Sequence, residues 1–315
     1  MAVQTGAGAA LTTIDMITFG GASNLPIWLA QERGLFAREG LEITLAATKG
    51  SIPQMQNMMA GKYQLAATSI DNVMAYTEGQ GDIPLDDFDL FAFAGVHSGL
   101  NSVVARPEIE RYQDIKGKTV AVDALGTGYA FLLFRILADH GLVLDRDYRA
   151  ISVGGGPERL DALQKGAAVA AVMAAPSNLD ARRQGYRILA EDASVAVGTY
   201  QGSIYAARRG WAAAHTPAIL AFIRAIAAAH DLVRSDRTSA IDCLSRHLKS
   251  LSDADVAEVY AGLAGDKGGL NRRAELNIEG IRTAMALRSD YAKPKKTLAD
   301  PMKYVDLSFH KKAFA

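Results

Sequence analysis

Phe19-Gly20-Gly21-Ala22-Ser23-Asn24-Leu25-Pro26-Ile27-Trp28 carries one apolar segment into a turn of small residues and out into another. Residues 14–19 read as a strand and residues 25–33 as a helix. Proline near a helix start loses nothing, because its missing N–H would be unpaired there in any case. The unit of strand, small polar turn and helix returns twice before Gly79. A strand at 41–47 runs through Thr48-Lys49-Gly50 into Ser51-Ile52-Pro53-Gln54, which has the form of a Ser-x-x-Gln capping box. A strand at 64–67 closes on Thr68-Ser69 and opens a helix whose apolar face is Ile70, Val73 and Met74. This alternation predicts a parallel sheet, whose ligands sit beyond the carboxyl ends of the strands. Three helix N-termini then converge on one crevice.

Working outward, the unit recurs in residues 99–198. A strand at 119–122 precedes Asp123-Ala124-Leu125-Gly126-Thr127-Gly128 and a helix over 129–140. A strand at 150–153 precedes Gly154-Gly155-Gly156-Pro157 and a helix over 158–165. A strand at 168–173 precedes Ala174-Ala175-Pro176-Ser177 and a helix reaching 184. A polar helical stretch is expected over 108–116. The chain returns near Ala196-Val197-Gly198 to a strand at 203–206 and then stays helical, with Thr216-Pro217 opening a long Ala-rich helix to about residue 233. Shorter helices are expected over 253–263, 275–287 and 304–313, packed on the first lobe. The expected architecture is α/β, with two Rossmann-like lobes of mixed sheets joined by a two-strand hinge. Residues 14–98 with 199–315 form the first lobe, 99–198 the second, and 1–13 a flexible lead-in.

A chain of 315 residues, 49% of them hydrophobic, buries a large core and is not disordered. Its 34 basic and 34 acidic side chains cancel, and Lys293-Pro294-Lys295-Lys296, the one basic run, reads as a solvated turn. Nucleic acid is therefore not an expected partner. Cys243 is the single cysteine, which excludes an internal disulfide and a multi-cysteine metal site. In Ala240-Ile241-Asp242-Cys243-Leu244 it reads as a small core residue of a helix. No uninterrupted apolar run reaches the roughly 20 residues that cross a bilayer. Met1 to Thr13 has neither a basic start nor an apolar signal core, so the expectation is a removed signal and a periplasmic location, or a cytoplasmic one if the chain is an enzyme.

Gly117-Lys118-Thr119 resembles a P-loop tail but has Tyr112 where that motif needs glycine, and it precedes its strand. Gly126-x-Gly128 lacks the third glycine of a dinucleotide fingerprint. What these turns do offer is backbone N–H groups at helix starts, suited to an anionic or polar ligand. His97 falls at a strand end beside the crossover, where it suits a ligand carboxylate or sulfonate or serves the hinge. His140, His215, His230, His247 and His310 fall on helices or their ends without the spacing of a metal site, so no metal is expected. Lys49, Asp71 and Tyr129 belong to turns or first helical turns that face the crevice, and Trp28 reads as core. No Ser-His-Asp order, carboxylate pair or Gly-x-Ser-x-Gly elbow stands out.

Asn24-Leu25-Pro26-Ile27-Trp28-Leu29-Ala30, Gly34-Leu35-Phe36, Glu39-Gly40-Leu41, Gly50-Ser51, Leu65-Ala66-Ala67-Thr68, Asp114 to Val122 and Tyr304-Val305-Asp306-Leu307-Ser308 together resemble a known family. It is the nitrate/sulfonate/taurine-type solute-binding proteins of ABC importers, with the thiamine-pyrimidine-precursor binders among them. The resemblance spans about residues 14–312. It implies the type II periplasmic-binding-protein fold, two lobes closing on a small organic ligand that an ABC permease then receives, with no cofactor and a monomeric chain. Ligand contacts carried over by it are Asn24, Gly50, Ser51, Thr68, Ser69, Gly126, Thr127 and Ser177; Asp71, His97 and Tyr129 complete the candidate set. Ala174-Ala175-Pro176 stands where many members carry an acidic or aromatic residue, which favours a bulkier or more apolar ligand. Because no arginine is seen at the helix starts, binding is expected to rest on hydroxyls and helix N-termini. The alternative is a cleft decarboxylase or lyase of the same fold, with His97 and Asp71 as its catalytic groups. The cysteine-rich motif of the thiamine-pyrimidine synthases is missing.

Overall fold

The computed structural model describes residues 10–315. Ten strands form two five-stranded sheets: β1 (Thr12–Phe19), β2 (Leu41–Thr48), β3 (Leu65–Ser69), β4 (Leu90–His97), β5 (Ser102–Ala105), β6 (Thr119–Val122), β7 (Arg149–Ser152), β8 (Ala170–Met173), β9 (Arg187–Ala190) and β10 (Ser203–Arg208). The orders are β2-β1-β3-β10-β4 and β7-β6-β8-β5-β9. In the first sheet β1 is parallel to β2 and β3, while β10 runs antiparallel between β3 and β4. The second has the same plan, with β5 antiparallel between β8 and β9. Two mixed sheets flanked by helices make a two-lobed periplasmic-binding-protein fold. The chain passes from one sheet to the other between β4 and β5 and returns before β10. Gly202 N–H donates to the His97 carbonyl at 3.0 Å, so the two crossings run side by side.

β3 and β4 are buried along their whole length: β3 is a central strand covered on both faces, and β4, at the sheet edge, is covered by bridges from Ala92 to Val305 and from His97 to Leu270. On one face the helix Thr216–Ser235 lays Ile219, Phe222, Ile223 and Ile226 against Phe93 and Tyr205. This helix is long and apolar enough to cross a membrane, yet just over half of its apolar window is packed inside the core. On the other face one continuous core takes Ile17, Ala92 and the helix residue Met74 from the first lobe together with Val103, Val120 and the helix residue Phe131 of the second. The two lobes therefore share buried apolar surface.

Inside that shared core lies an ion pair. Arg288, fully buried on the helix Ile278–Tyr291, donates to both Asp71 oxygens at 2.7 and 2.5 Å and to the Gly126 carbonyl of the other lobe at 2.6 Å. Its guanidinium also covers the Phe131 ring at 5.0 Å. Gly128 lets the lobes approach here, since a Cβ on it would fall 2.6 Å from the Cβ of Asp71.

Several local expectations need correction. Ser51 does not cap its helix: Gly50 takes the N-cap position, the Ser51 hydroxyl turns to Asp123, and Gln54 donates to the Ala67 carbonyl instead of reaching back. Residues 108–116 contain only the 3-10 turn Tyr112–Ile115. β9 was not expected; its Arg187 hides the short strand pattern, and pairing with β5 creates it. The last helix is Ser308–Ala313, preceded by the 3-10 turn Pro301–Lys303. The lead-in 1–13 is shortened by β1, which begins at Thr12, and residues 1–9 lie outside the described ones.

Removing one member of a buried ion pair leaves an uncompensated charge, at about 3–5 kcal/mol. Arg288→Met should therefore lower the unfolding free energy measured in urea by that much, with a lower midpoint, and adding Asp71→Asn should recover part of it. A single variant that unfolds at the parental midpoint would show that the pair does not hold this core.

Candidate functional site

The carboxyl ends of β1, β3, β6 and β8 face one another across a cavity of about 350 Å³. Its floor is the crossing region, with His97, Asn101 and Ser203; its walls include Phe19, Pro157, Ala174, Ala175 and Pro176. The two lobes touch around it. Ala22 N–H donates to the Ala175 carbonyl at 3.3 Å, and Gly155 N–H donates to the Lys49 carbonyl at 3.2 Å. Gly21 permits the first contact: its φ is +149°, and a Cβ there would sit 2.9 Å from the Ala175 oxygen. The Ser51 hydroxyl donates to Asp123 of the opposite lobe at 2.5 Å, and Asn72 holds Ser51 and Thr68 at 3.2 and 2.9 Å. The structure is thus a closed one.

Of the expected residues, Ser51, Ser69, His97, Thr127, Tyr129 and Ser177 line the cavity. Five do not. Asn24 is buried behind the first turn, where it accepts from the Thr18 hydroxyl at 2.7 Å and donates to the Phe19 carbonyl. Thr68 serves Asn72, and Gly50 supplies backbone beside Asp123. Asp71 is taken by Arg288, and Gly126 is held between Asp82 and Arg288. The pair His97–Asp71 is consequently not assembled. Lys49 contributes its carbonyl, and Trp28 stacks on His247 away from the cavity lining.

Two charged residues were missed. Asp123 directly follows β6, a position whose value lay in the strand end itself. Arg159 corrects the expectation of an arginine-free site. It lies in the second turn of the helix Gly156–Gln164, donating to the Gly155 carbonyl at 3.1 Å and to the Val172 carbonyl, and it lines the cavity. Neither bond uses Nη2. In sequence Glu158-Arg159 has the look of a solvated helix face; the glycine turn before it was the available signal.

Burial governs the ionisation here. His97 is pushed down to about 4 by desolvation, against a smaller opposing contribution from the Gly99 backbone, so its ring is neutral at pH 7. Its Nδ1 has no partner. Burial holds the Tyr129 phenol well above its usual range; nearby Ser203 and Asn101 oppose this, but neither meets hydrogen-bond geometry with its hydroxyl, which is also unpartnered. Desolvation lowers Arg159, while Asp123 opposes that. The cavity therefore presents one cation, one carboxylate already engaged by Ser51, several hydroxyls and two unpartnered neutral polar atoms. That set suits hydrogen bonding to a small polar ligand. Among the cavity-lining groups there is no cluster of metal donors.

The NMT1/THI5-like family model matches residues 22–240. The chain belongs to the NMT1/THI5-like family. No curated protein matches it in sequence. In structure, this NMT1/THI5-like chain is similar to the periplasmic nitrate-binding protein NrtA of Synechocystis PCC 6803, with 14% identity, 96% of this chain and 88% of that one covered, and a TM-score of 0.78. It is also similar to the periplasmic aliphatic sulphonate-binding protein SsuA of Escherichia coli, with 20% identity, 93% and 92% covered and a TM-score of 0.69. The alkanesulfonate-binding SsuA of Xanthomonas axonopodis pv. citri, bound to MOPS, shares 19% identity over 88% and 91% with a TM-score of 0.68. At these identities the likeness establishes the shared fold.

A buried neutral histidine makes stability pH-dependent. Its folded value, about 4, lies below the ordinary 6.5, so the unfolded chain binds the extra proton first. The contribution is complete above pH 6.5 and is lost as pH falls toward 4, reaching on the order of 3 kcal/mol. His230, also pushed down to about 4 by burial, adds to the same window. Denaturation curves should show this loss, with a smaller slope in His97→Gln; an identical slope would place His97 outside the effect.

Proposed function

We propose that the protein captures a small organic anion between its lobes and delivers it to an ABC permease outside the cytoplasm. The observation that carries this reading is the closed cavity at the strand ends, with the half-buried Arg159 presenting an unengaged guanidinium nitrogen beside the unpartnered His97 Nδ1 and Tyr129 hydroxyl. The anionic group of the ligand meets Arg159, Ser177 and the helix start at Gly156. Its body, apolar or heteroaromatic, lies along Phe19, Pro157 and Ala174 to Pro176, where small side chains leave room. Ser51, Ser69 and Thr127 supply further polar contacts from both lobes. Release requires residues 99–198 to rotate away from the remainder about the paired crossings, since only the closed form contacts ligand from both sides. The chain acts as a monomer and needs no cofactor. The similarity of its fold to periplasmic nitrate and sulfonate binders supports the class of ligand and the location.

Binding of sulfonates, carboxylates and nitrate, measured calorimetrically, tests the reading. A charge-assisted hydrogen bond contributes about 1.5–3 kcal/mol, so Arg159→Met should weaken the best anion by roughly 10- to 150-fold. Ser51→Ala and Thr127→Ala should each weaken it several-fold, and the ligand should be recovered intact by chromatography. Equal affinity in Arg159→Met would remove the anion from the reading. Turnover of the ligand would replace transport by cleft chemistry.

A further inference from the structure

On the outer side of the first lobe two helices bring together three side chains that the proposed function does not use. Glu32 ends the helix Leu25–Glu32, and Cys243 and His247 lie on the helix Arg237–His247. A separation of four residues puts Cys243 and His247 one above the other on a single helix face. Trp28 and Glu32 are spaced in the same way on the facing helix. The donor atoms of Glu32, Cys243 and His247 all lie within 4.8 Å of one another, with His247 Nε2 and Glu32 Oε1 3.2 Å apart. Among the described residues no other three histidine, cysteine or carboxylate donors converge in this way.

We infer that Glu32, Cys243 and His247 form a zinc site, completed by a water molecule, that clamps the two helices together. The chemistry selects the metal. A thiolate, an imidazole and a carboxylate at these separations suit a four-coordinate zinc ion, whereas magnesium and calcium take oxygen ligands. When the ion binds, the Cys243 thiol gives its proton to solvent and the sulfur–metal bond forms; no electron is transferred. The surroundings have the features of an outer shell. The Trp28 indole stacks on His247 at 4.3 Å with the planes 3° apart, which fixes the ring. Arg246 donates to Glu32 Oε2 and orients the carboxylate, approaching Oε1 only at 3.3 Å. Glu32 and His247 are exposed, giving the ion and its water a path, while Cys243 is buried behind them. The residue after His247, Leu248, lines the ligand cavity, so the clamp closes at the edge of the cleft.

The test is titration of the full-length, untagged protein, reduced and stripped of metal, with Co²⁺ as a spectroscopic probe. Because Cys243 is the one cysteine, a sulfur-to-cobalt charge-transfer band reports on a single residue. We expect that band together with intense visible bands of four-coordinate cobalt, saturating at one equivalent and abolished by Zn²⁺. Cys243→Ser should lack the charge-transfer band, and His247→Gln should weaken Co²⁺ and Zn²⁺ binding by at least about tenfold. Should the buried Cys243→Ser variant fail to fold, the exposed His247→Gln position decides. A saturating cobalt titration without a charge-transfer band, or binding unaltered in His247→Gln, overturns the site.

Discussion

A guanidinium with no exposed surface ties this molecule together. Arg288 satisfies the Asp71 carboxylate within one lobe and the Gly126 carbonyl of the other, under the Phe131 ring. An ion pair removed from water is weak evidence of net stability, because desolvation offsets much of the attraction. Its geometry is nonetheless demanding, and it requires the glycine at 128 and the approach of two helices from different lobes. The shared apolar core follows the same contact, so the closed arrangement rests on buried surface at one side of the cleft. At the other side it rests on a few hydrogen bonds: Ser51 to Asp123, Gly155 to Lys49 and Ala22 to Ala175. The two backbone bonds contribute about 1 kcal/mol each net and the hydroxyl–carboxylate bond about 1.5–3, with no large apolar surface beside them, which makes this the side more easily opened.

The same closure determines the chemistry of the cavity. Desolvation keeps His97 uncharged and Tyr129 protonated, so neither brings a charge to the ligand at pH 7. Arg159 remains as the cation, anchored through two of its nitrogens to backbone carbonyls. A fixed cation beside neutral donors and acceptors suits the anion proposed as ligand. Asp123 adds a carboxylate to the same wall, but Ser51 engages it from across the cleft, and its first role is to join the lobes.

How far the sequence could be read is clearest at particular residues. The repeating unit of strand, small turn and helix marked nearly every strand of both sheets, because hydrophobic periodicity and turn chemistry are local. β9 escaped, since a four-residue strand beginning with arginine is made by its neighbour β5. Ser51 and Gln54 matched a capping box in spacing and still chose other partners. A hydroxyl at a helix start goes to whichever acceptor the tertiary structure brings nearest, and here that was Asp123, 72 residues away. Asn24, Thr68 and Asp71 occupied the right turns and faced the wrong way, toward Thr18, Asn72 and Arg288.

By itself, then, the sequence determined the two lobes, the strand ends at which a ligand would sit, and the small residues that let the turns approach. These follow from periods of two and 3.6 residues and from glycine and proline, all properties of neighbouring positions. Only the tertiary structure decided which side chains face the cavity, that Arg159 supplies its cation, and that Glu32 meets Cys243 and His247. Each of those depends on residues far apart in the chain being brought within a hydrogen bond or a metal radius of one another. Burial, which sets the charge of His97 and the partner of Asp71, exists only once the lobes have closed.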